Sequence, residues 1–336
     1  MKQAAYFAEE TIAAWQKVGA KLGWLGINEE LKMEFVAQSD CLKAAVPAFE
    51  YTGDLGEVTH DRAVPGIPFG LMLKNTMLQD ASLAGLARFT NLQSLSLPSP
   101  SLTETVLKDL GRLTNLHDLD LSCAWQPNAG LKDLSELTNL RFLNLSCTRM
   151  TNTMVKDLET LTNLRFLNLS STRVTNAGLK DLAKFPKLQK IKLFNNRVTD
   201  DGVKTLASLT NLQDLGLKGT QVTDAGVKDL ARLTNLQQLD LSYTQITGAG
   251  LKNLATLTNL HSLGLGGTHV TVAGLKNLAT LTNLQRLDLY HTQATDAGLK
   301  VLATLTNLKS LDLGGTKVTD AGVAVLRNWL PDCKIL

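Results

Sequence analysis

The chain has 336 residues, 44% of them hydrophobic, enough to bury a continuous core. Its 34 Lys+Arg against 31 Asp+Glu leave a formal net charge of +3, a balance that argues against nucleic acid or an acidic membrane surface as the partner. Aromatic residues are only 5% of the chain, so each exposed one is informative.

The N-terminus, MKQAAYFAEETIAAWQ, reaches Glu9 and Glu10 before any long apolar run, so it does not read as a signal peptide. No window has the apolar length of a membrane span. Both features point to a soluble, cytoplasmic protein. Ala4 to Leu25 reads as an amphipathic helix with Phe7, Ile12, Trp15, Val18 and Leu22 roughly on one side. Pro47-Ala48-Phe49-Glu50-Tyr51 reads as a strand that pairs with the first strand of a repeat region beyond it.

From about residue 67 the chain repeats. TNL starts at Thr90, Thr114, Thr138, Thr162, Thr210, Thr234, Thr258, Thr282 and Thr306, and Pro186-Lys187-Leu188 fills the one gap. From Leu92 to Leu308 there are nine intervals of 24 residues with no insertion. A weaker unit containing Leu71, Leu73, Leu78 and Leu83 precedes them, making eleven units over residues 67–330. In Leu236 to Asn259, Leu236, Leu239 and Leu241 follow the pattern L-x-x-L-x-L, and alternation around Leu239 and Leu241 marks a short strand with one buried face. Leu251, Leu254 and Leu257 recur every three residues, which suits a short helix or 3₁₀ segment ended by Asn259 in a left-handed conformation. A glycine in phase at Gly250 implies a tight turn or close contact between stacked units. Threonines in phase with Thr244 are expected to hydrogen-bond loop backbone from one coil to the next. No unit can bury its leucines alone, so the units must stack, with parallel strands on the concave side and helices on the convex side. Eleven strands would line a surface on the order of 50 Å long.

The repeat VTDAGLKxLAxLTNLxxLxLxxT, clearest at Val222 to Ala231 and Val318 to Val323, resembles that of bacterial leucine-rich-repeat proteins of the ribonuclease-inhibitor-like class. The ending Leu330 to Ile335 resembles their last half-repeat. The resemblance implies an α/β leucine-rich-repeat solenoid, a right-handed horseshoe with a parallel concave sheet, convex helices and a small helical N-terminal cap. The expected division is residues 1–66 as cap, 67–330 as eleven repeats and 331–336 as a C-terminal half-repeat. The units also resemble those of F-box adaptors, which usually carry cysteine near the Thr244 position; this chain has threonine there and no F-box motif upstream. The cysteines, Cys41, Cys123, Cys147 and Cys333, form neither a C-x-x-C pair nor the cysteine-rich caps of secreted relatives, which favours a reducing compartment.

Candidate chemistry is sparse. Asp118 and Asp120, after His117, share a strand face, but two ligands are too few for a hard cation and solvated concave positions explain them better. Gly264-Leu265-Gly266-Gly267 fails the spacing of a dinucleotide loop. No nucleophile triad has a supporting architecture. Cys123 and Cys147 lie one repeat apart in equivalent positions, within disulfide range if stacked, and reduced thiols are the simpler reading. The expectation is therefore a non-enzymatic chain with no cofactor and no metal.

Outward strand positions carry the most usable information. Most are Ser, Gly or Asp, but Phe142 and Phe166 occupy equivalent positions, Lys190 follows in that column, and Lys192 and Phe194 share its face. Arg149, Arg173 and Arg197 form a column just beyond the strands. Aromatics with Arg are what binding centres enrich, so these eight residues are the first candidate surface, suited to a protein partner bearing acidic groups. Mutual stacking or cover by the N-terminal segment is the alternative for the two phenylalanines. Tyr243, Arg286, Tyr290 and His291, flanked by Asp240, Asp288 and Asp312, form a second group. The sequence thus points to a protein-binding scaffold. An F-box-like adaptor stands as an alternative, and a small-molecule receptor or enzyme as a weaker one.

Overall fold

The structure, a computed structural model, describes residues 6–38, 42–52, 64–74, 85–97, 103–124 and 131–336. It divides into two compact units, residues 1–168 and 169–336.

The first unit begins with helix α1 (Glu9–Lys17), followed by strands β1 (Lys21–Ile27), β2 (Met33–Val36), β3 (Lys43–Tyr51), β4 (Phe69–Leu73), β5 (Leu92–Ser96), β6 (Asp118–Asp120), β7 (Phe142–Asn144) and β8 (Phe166–Asn168). Their order in the sheet is β8-β7-β6-β5-β4-β3-β1-β2. Pairing is parallel from β3 to β8 and antiparallel from β3 through β1 to β2. Leu95, Leu119, Leu143 and Leu167 lie in register and are fully buried, as the alternation requires.

The N-terminal helix is shorter than the sequence predicts. Gly19, at φ +86°, reverses the chain, and its N–H and that of Ala20 close onto Gln16 and Trp15 carbonyls. Residues 21–25, expected in the helix, lie instead in strand β1, which pairs with β3. Helix α1 serves through Trp15, which is fully buried and stacks on Phe49 at 4.6 Å, with Tyr51 and Phe89 edge-on or tilted around it. The expected strand at Pro47–Tyr51 forms within β3, and Ala48 to Tyr51 pair with Gly70 to Leu73 of β4. Glu50, almost buried, is held between Lys21 and Lys74.

The second unit contains β9 (Lys190–Lys192), β10 (Asp214–Gly216), β11 (Gln238–Asp240), β12 (Ser262–Gly264), β13 (Arg286–Asp288), β14 (Ser310–Asp312) and β15 (Lys334–Ile335), all parallel in that order. Between strands the chain returns through short helices such as Asp224–Leu230 and Gly248–Leu251, the latter running on as a 3₁₀ turn. Leu239, Leu241, Ile246, Leu251, Leu254 and Leu257 are all buried, matching the expected register. No helix among the described residues is long and apolar enough to cross a membrane.

Side chains join the coils differently from the sequence reading. The in-phase threonines bond within their own coil: Thr244 Oγ1 donates to Leu241 O at 2.6 Å, and Thr148, Thr220 and Thr268 do the same. The cross-coil ladder is built by the asparagines of TNL. Asn235 donates to Thr210 O and Asn259 to Thr234 O, each at 2.9 Å. Asn259 is therefore a rung and not a left-handed helix stop; it is absent from the positive-φ positions. Gly250 meets the second of its two expectations. A Cβ there would lie 2.3 Å from Asp224 Oδ1, because Asp224 reaches across to accept from Thr247 N–H and Oγ1 at 2.8 and 2.6 Å.

Candidate binding surface

Outward positions of β5 and β6 are small or acidic: Ser94, Ser96, Asp118 and Asp120. The next two strands put Phe142 and Phe166 in the same column. The expectation that these phenylalanines face solvent is not met. They are only 4% and 5% exposed, and their rings stack at 4.5 Å with an interplanar angle of 11°. Leu25, Met33, Ala48 and Met72 complete a buried cluster with them, and Ile27, Leu31 and Phe35 pack against it. The β1–β2 hairpin thus supplies the cover. The hydrophobic effect explains the cover: two adjacent phenylalanines on an open sheet would leave a large apolar surface in water. Arg149, in the same unit, is exposed.

Burial also shapes the acids beside that cluster. It pushes the Asp118 carboxyl above the usual carboxylate range, opposed by a 2.7 Å hydrogen bond from Ser94 Oγ and by the Arg141 charge. It raises Asp120 likewise, against hydrogen bonds from Ser122 and Asn144. His117 is lowered by burial and then by Arg141. Among the described residues, no group of three or more His, Cys, Asp or Glu is placed to hold a metal.

The remaining residues of the first candidate surface lie in the second unit. Arg173 and Arg197 are exposed, whereas Lys190, Lys192 and Phe194 are half-buried. Lys192 is committed: its ammonium lies 2.7 Å from Asp214 Oδ1 and 5.4 Å from the centre of the Phe194 ring. That ring rests on the next coil, where a Cβ at Gly216 would lie 2.2 Å from its Cε1. With Phe142 and Phe166 covered, the aromatic centre expected of this surface is not open to solvent.

The second group is open to solvent. Tyr243 is 50% exposed and Tyr290 38%, and Arg286 and His291 are exposed too. Tyr290 and His291 meet edge to face at 4.2 Å. Each tyrosine lies beside a glycine of the next coil, Tyr243 by Gly267 and Tyr290 by Gly314. Lys218 sits 5.2 Å from the Tyr243 ring centre.

A groove of about 390 Å³ runs over the strand face; Ser242 and Asp288, one and two residues before Tyr243 and Tyr290, are among its lining residues. In register along it stand Lys192, Gly216, Asp240, Gly264, Asp288 and Asp312, with Gln238, Ser262, Arg286 and Ser310 in the second outward column. Gly264 and Gly266 leave space that the Asp240 and Asp288 carboxylates lean into, each within 3 Å of where a Cβ would be. Burial raises the Asp288 carboxyl. A hydrogen bond from Tyr290 N–H pulls it back, and the charges of Asp312 and Asp240 push it further up. The groove thus combines polar groups with an under-neutralised acidic row, and the two exposed tyrosines follow closely in sequence on its lining residues Ser242 and Asp288. The sequence reading named the tyrosines and aspartates, but Asp214, Lys218, Gln238, Ser262 and Ser310 escaped it. Their signal was the outward register itself, which small polar side chains do not advertise.

Two family models match the chain: a leucine-rich repeat region at residues 122–276, and Zer-1-like leucine-rich repeats at residues 227–329. The chain's structure is similar to an internalin (inlF) from Listeria monocytogenes, with a TM-score of 0.60 and 24% identity over 80% of this chain and 72% of that one. The fold is that of a leucine-rich-repeat protein. A second structure of this leucine-rich-repeat fold is the ectodomain of the plant receptor kinase GASSHO1/SCHENGEN3 from Arabidopsis thaliana, solved in complex with Casparian strip integrity factor 2. It aligns with a TM-score of 0.53 and 18% identity, over 86% of this chain and 37% of that ectodomain. No curated protein matches the chain.

Proposed function

We propose that this leucine-rich-repeat chain is a non-enzymatic scaffold that binds a protein partner on the concave face of its second unit. The observation that carries the reading is the polar groove over β11 to β14, whose lining residues Ser242 and Asp288 stand one and two residues before the exposed Tyr243 and Tyr290. Rigid, half-exposed aromatic rings beside unspent hydrogen-bonding groups are what interface centres use, because they add contact area at little cost in side-chain entropy. A groove open along its length suits an extended segment better than a small substrate, which needs enclosure by convergent groups. The plant ectodomain offers a precedent for the fold in complex with a second molecule. The 24-residue unit with its VTDAG turn supports placing the repeats in the ribonuclease-inhibitor-like class.

Charge refines the partner. Once the Lys192–Asp214 pair is set aside, Asp240, Asp288 and Asp312 face Lys218 and Arg286 in the groove. Asp288 already carries the repulsion of its two neighbours, so a cationic side chain of the partner is favoured there. Acidic groups of the partner, suggested by the arginine column, find their counterpart at exposed Arg173 and Arg197. The test is capture of a partner from cell extract by the immobilised chain, with mass-spectrometric identification. The double variant Tyr243→Ala/Tyr290→Ala is expected to keep the wild-type melting temperature and to lose that partner. Undiminished capture of the same partner by the double variant would remove this face from the function.

A further inference from the structure

We propose that Cys123 and Cys147, in the first unit, form a reversible dithiol–disulfide site that clasps two adjacent coils. They occupy equivalent positions one repeat apart, each just after a strand. Cys123 N–H donates to Ser146 O at 2.8 Å, which locks the two coils together at this point. Both cysteines have the same left-handed backbone, at φ +57° and +58°, so their Cα–Cβ bonds run parallel and do not diverge. Adjacent parallel strands stand about 4.8 Å apart, within the roughly 4.4–6.8 Å Cα separation of disulfides. The Cβ atoms need approach by only about an ångström. Both thiols are free and exposed.

Backbone conformation alone does not call for cysteine here. The equivalent positions further along the chain are Ser171, Asn195, Gly219, Tyr243, Gly267, His291 and Gly315, all at positive φ. Glycine and asparagine suit that conformation best, and cysteine gains nothing there except its sulfur. Cys333, by contrast, is buried.

The oxidant is a low-molecular-weight disulfide such as oxidised glutathione. One cysteine thiolate attacks a sulfur of the small disulfide, whose S–S bond breaks and expels one thiolate. The second cysteine thiolate attacks the protein-side sulfur of this mixed disulfide and expels the other thiolate. The protein gives up two electrons and two protons, and the small disulfide becomes two thiols. Burial and the neighbouring Cys147 sulfur hold the Cys123 thiol above its ordinary range. Closure should therefore speed up as pH rises and the thiolate fraction grows.

The full chain treated with oxidised glutathione tests the site. Free thiols are expected to fall by two, a peptide map is expected to link residues 123 and 147, and the oxidised chain should melt higher until dithiothreitol restores it. In Cys147→Ser, which places at 147 the residue this position carries at Ser171, the glutathione adduct on Cys123 should persist. Separate adducts on the two cysteines of the wild type, links to Cys41 or Cys333 in their place, or no reaction of either thiol would each overturn the proposal.

Discussion

Phe142 and Phe166 show how an outward strand position can be core. Register puts them on the open side of the sheet, and the β1–β2 hairpin then buries them at that side. Truncating either should behave as a core deletion. Phe142→Ala or Phe166→Ala is expected to cost about 3–5 kcal/mol, read as a lower denaturation midpoint. An unchanged midpoint would mean that the hairpin does not cover them. Asp118 lies nearby with its pKa raised by burial, and the sign follows from that direction. The folded chain holds this proton to higher pH than the unfolded chain, so the contribution is fully present below the unfolded carboxylate pKa and is lost as pH rises through the folded value. Asp118→Asn keeps an acceptor for Ser94 and removes the buried charge. The variant should be more stable than wild type at neutral pH, and the gap should close in acid, as pH-dependent urea melts would show. Exposure at this scale was only half legible in the sequence. Alternation places a side chain on a face, but what lies over that face is a long-range fact. The hairpin's apolar residues, Leu31, Met33 and Phe35, fall outside the repeat that made the register readable.

At the scale of elements, the aspartate of the TDAG turn is the clasp between successive helices. Asp200 reaches Thr223, Asp224 reaches Thr247, and Asp296 reaches Thr319, each through one backbone and one hydroxyl hydrogen bond. Glycines 226, 250 and 322 are the positions that make room for these carboxylates. Asp224→Ala is expected to lower stability by about 1–3 kcal/mol, the range for losing hydrogen bonds to a charged group. The coil at Val272 lacks this carboxylate, and the atoms nearest to a Cβ at Gly298 opposite it are side-chain methyl groups of Leu275 and Val272. Val272→Asp should therefore gain about 1 kcal/mol by reaching Thr295, and a lower melting temperature would show that the clasp depends on more than that one side chain. The in-phase glycine was legible as a close approach, whereas the owner of the approaching atom was not. The N-terminal helix is shorter than its apolar spacing implies, because Leu22 continues that spacing beyond the point where the helix ends. Gly19 ends it and the residues re-enter as strand. A three-residue apolar spacing and a two-residue one overlap over so short a stretch.

For the whole molecule, the 24-residue recurrence of leucines was enough to read a stacked α/β solenoid, because each unit repeats the same burial problem and has the same solution. The candidate surface was less legible, since function on such a fold rests in outward positions free of any repeat constraint. Tyr243 and Tyr290 were visible as departures from Ser, Gly and Asp, but the groove itself is lined largely by unremarkable polar residues. Binding should also respond to pH. Asp288 is held above the usual carboxylate range, so affinity for a cationic segment should weaken on acidification earlier than an ordinary aspartate would give, and Asp288→Asn should flatten that dependence. Hydrogen exchange of the chain with and without its captured partner tests the location of binding most directly. Protection is expected at residues 238–243, 262–267 and 286–291, around β11 to β13 and the two tyrosines. Protection confined to the helices on the other side of the sheet, or to residues 1–168, would contradict the account.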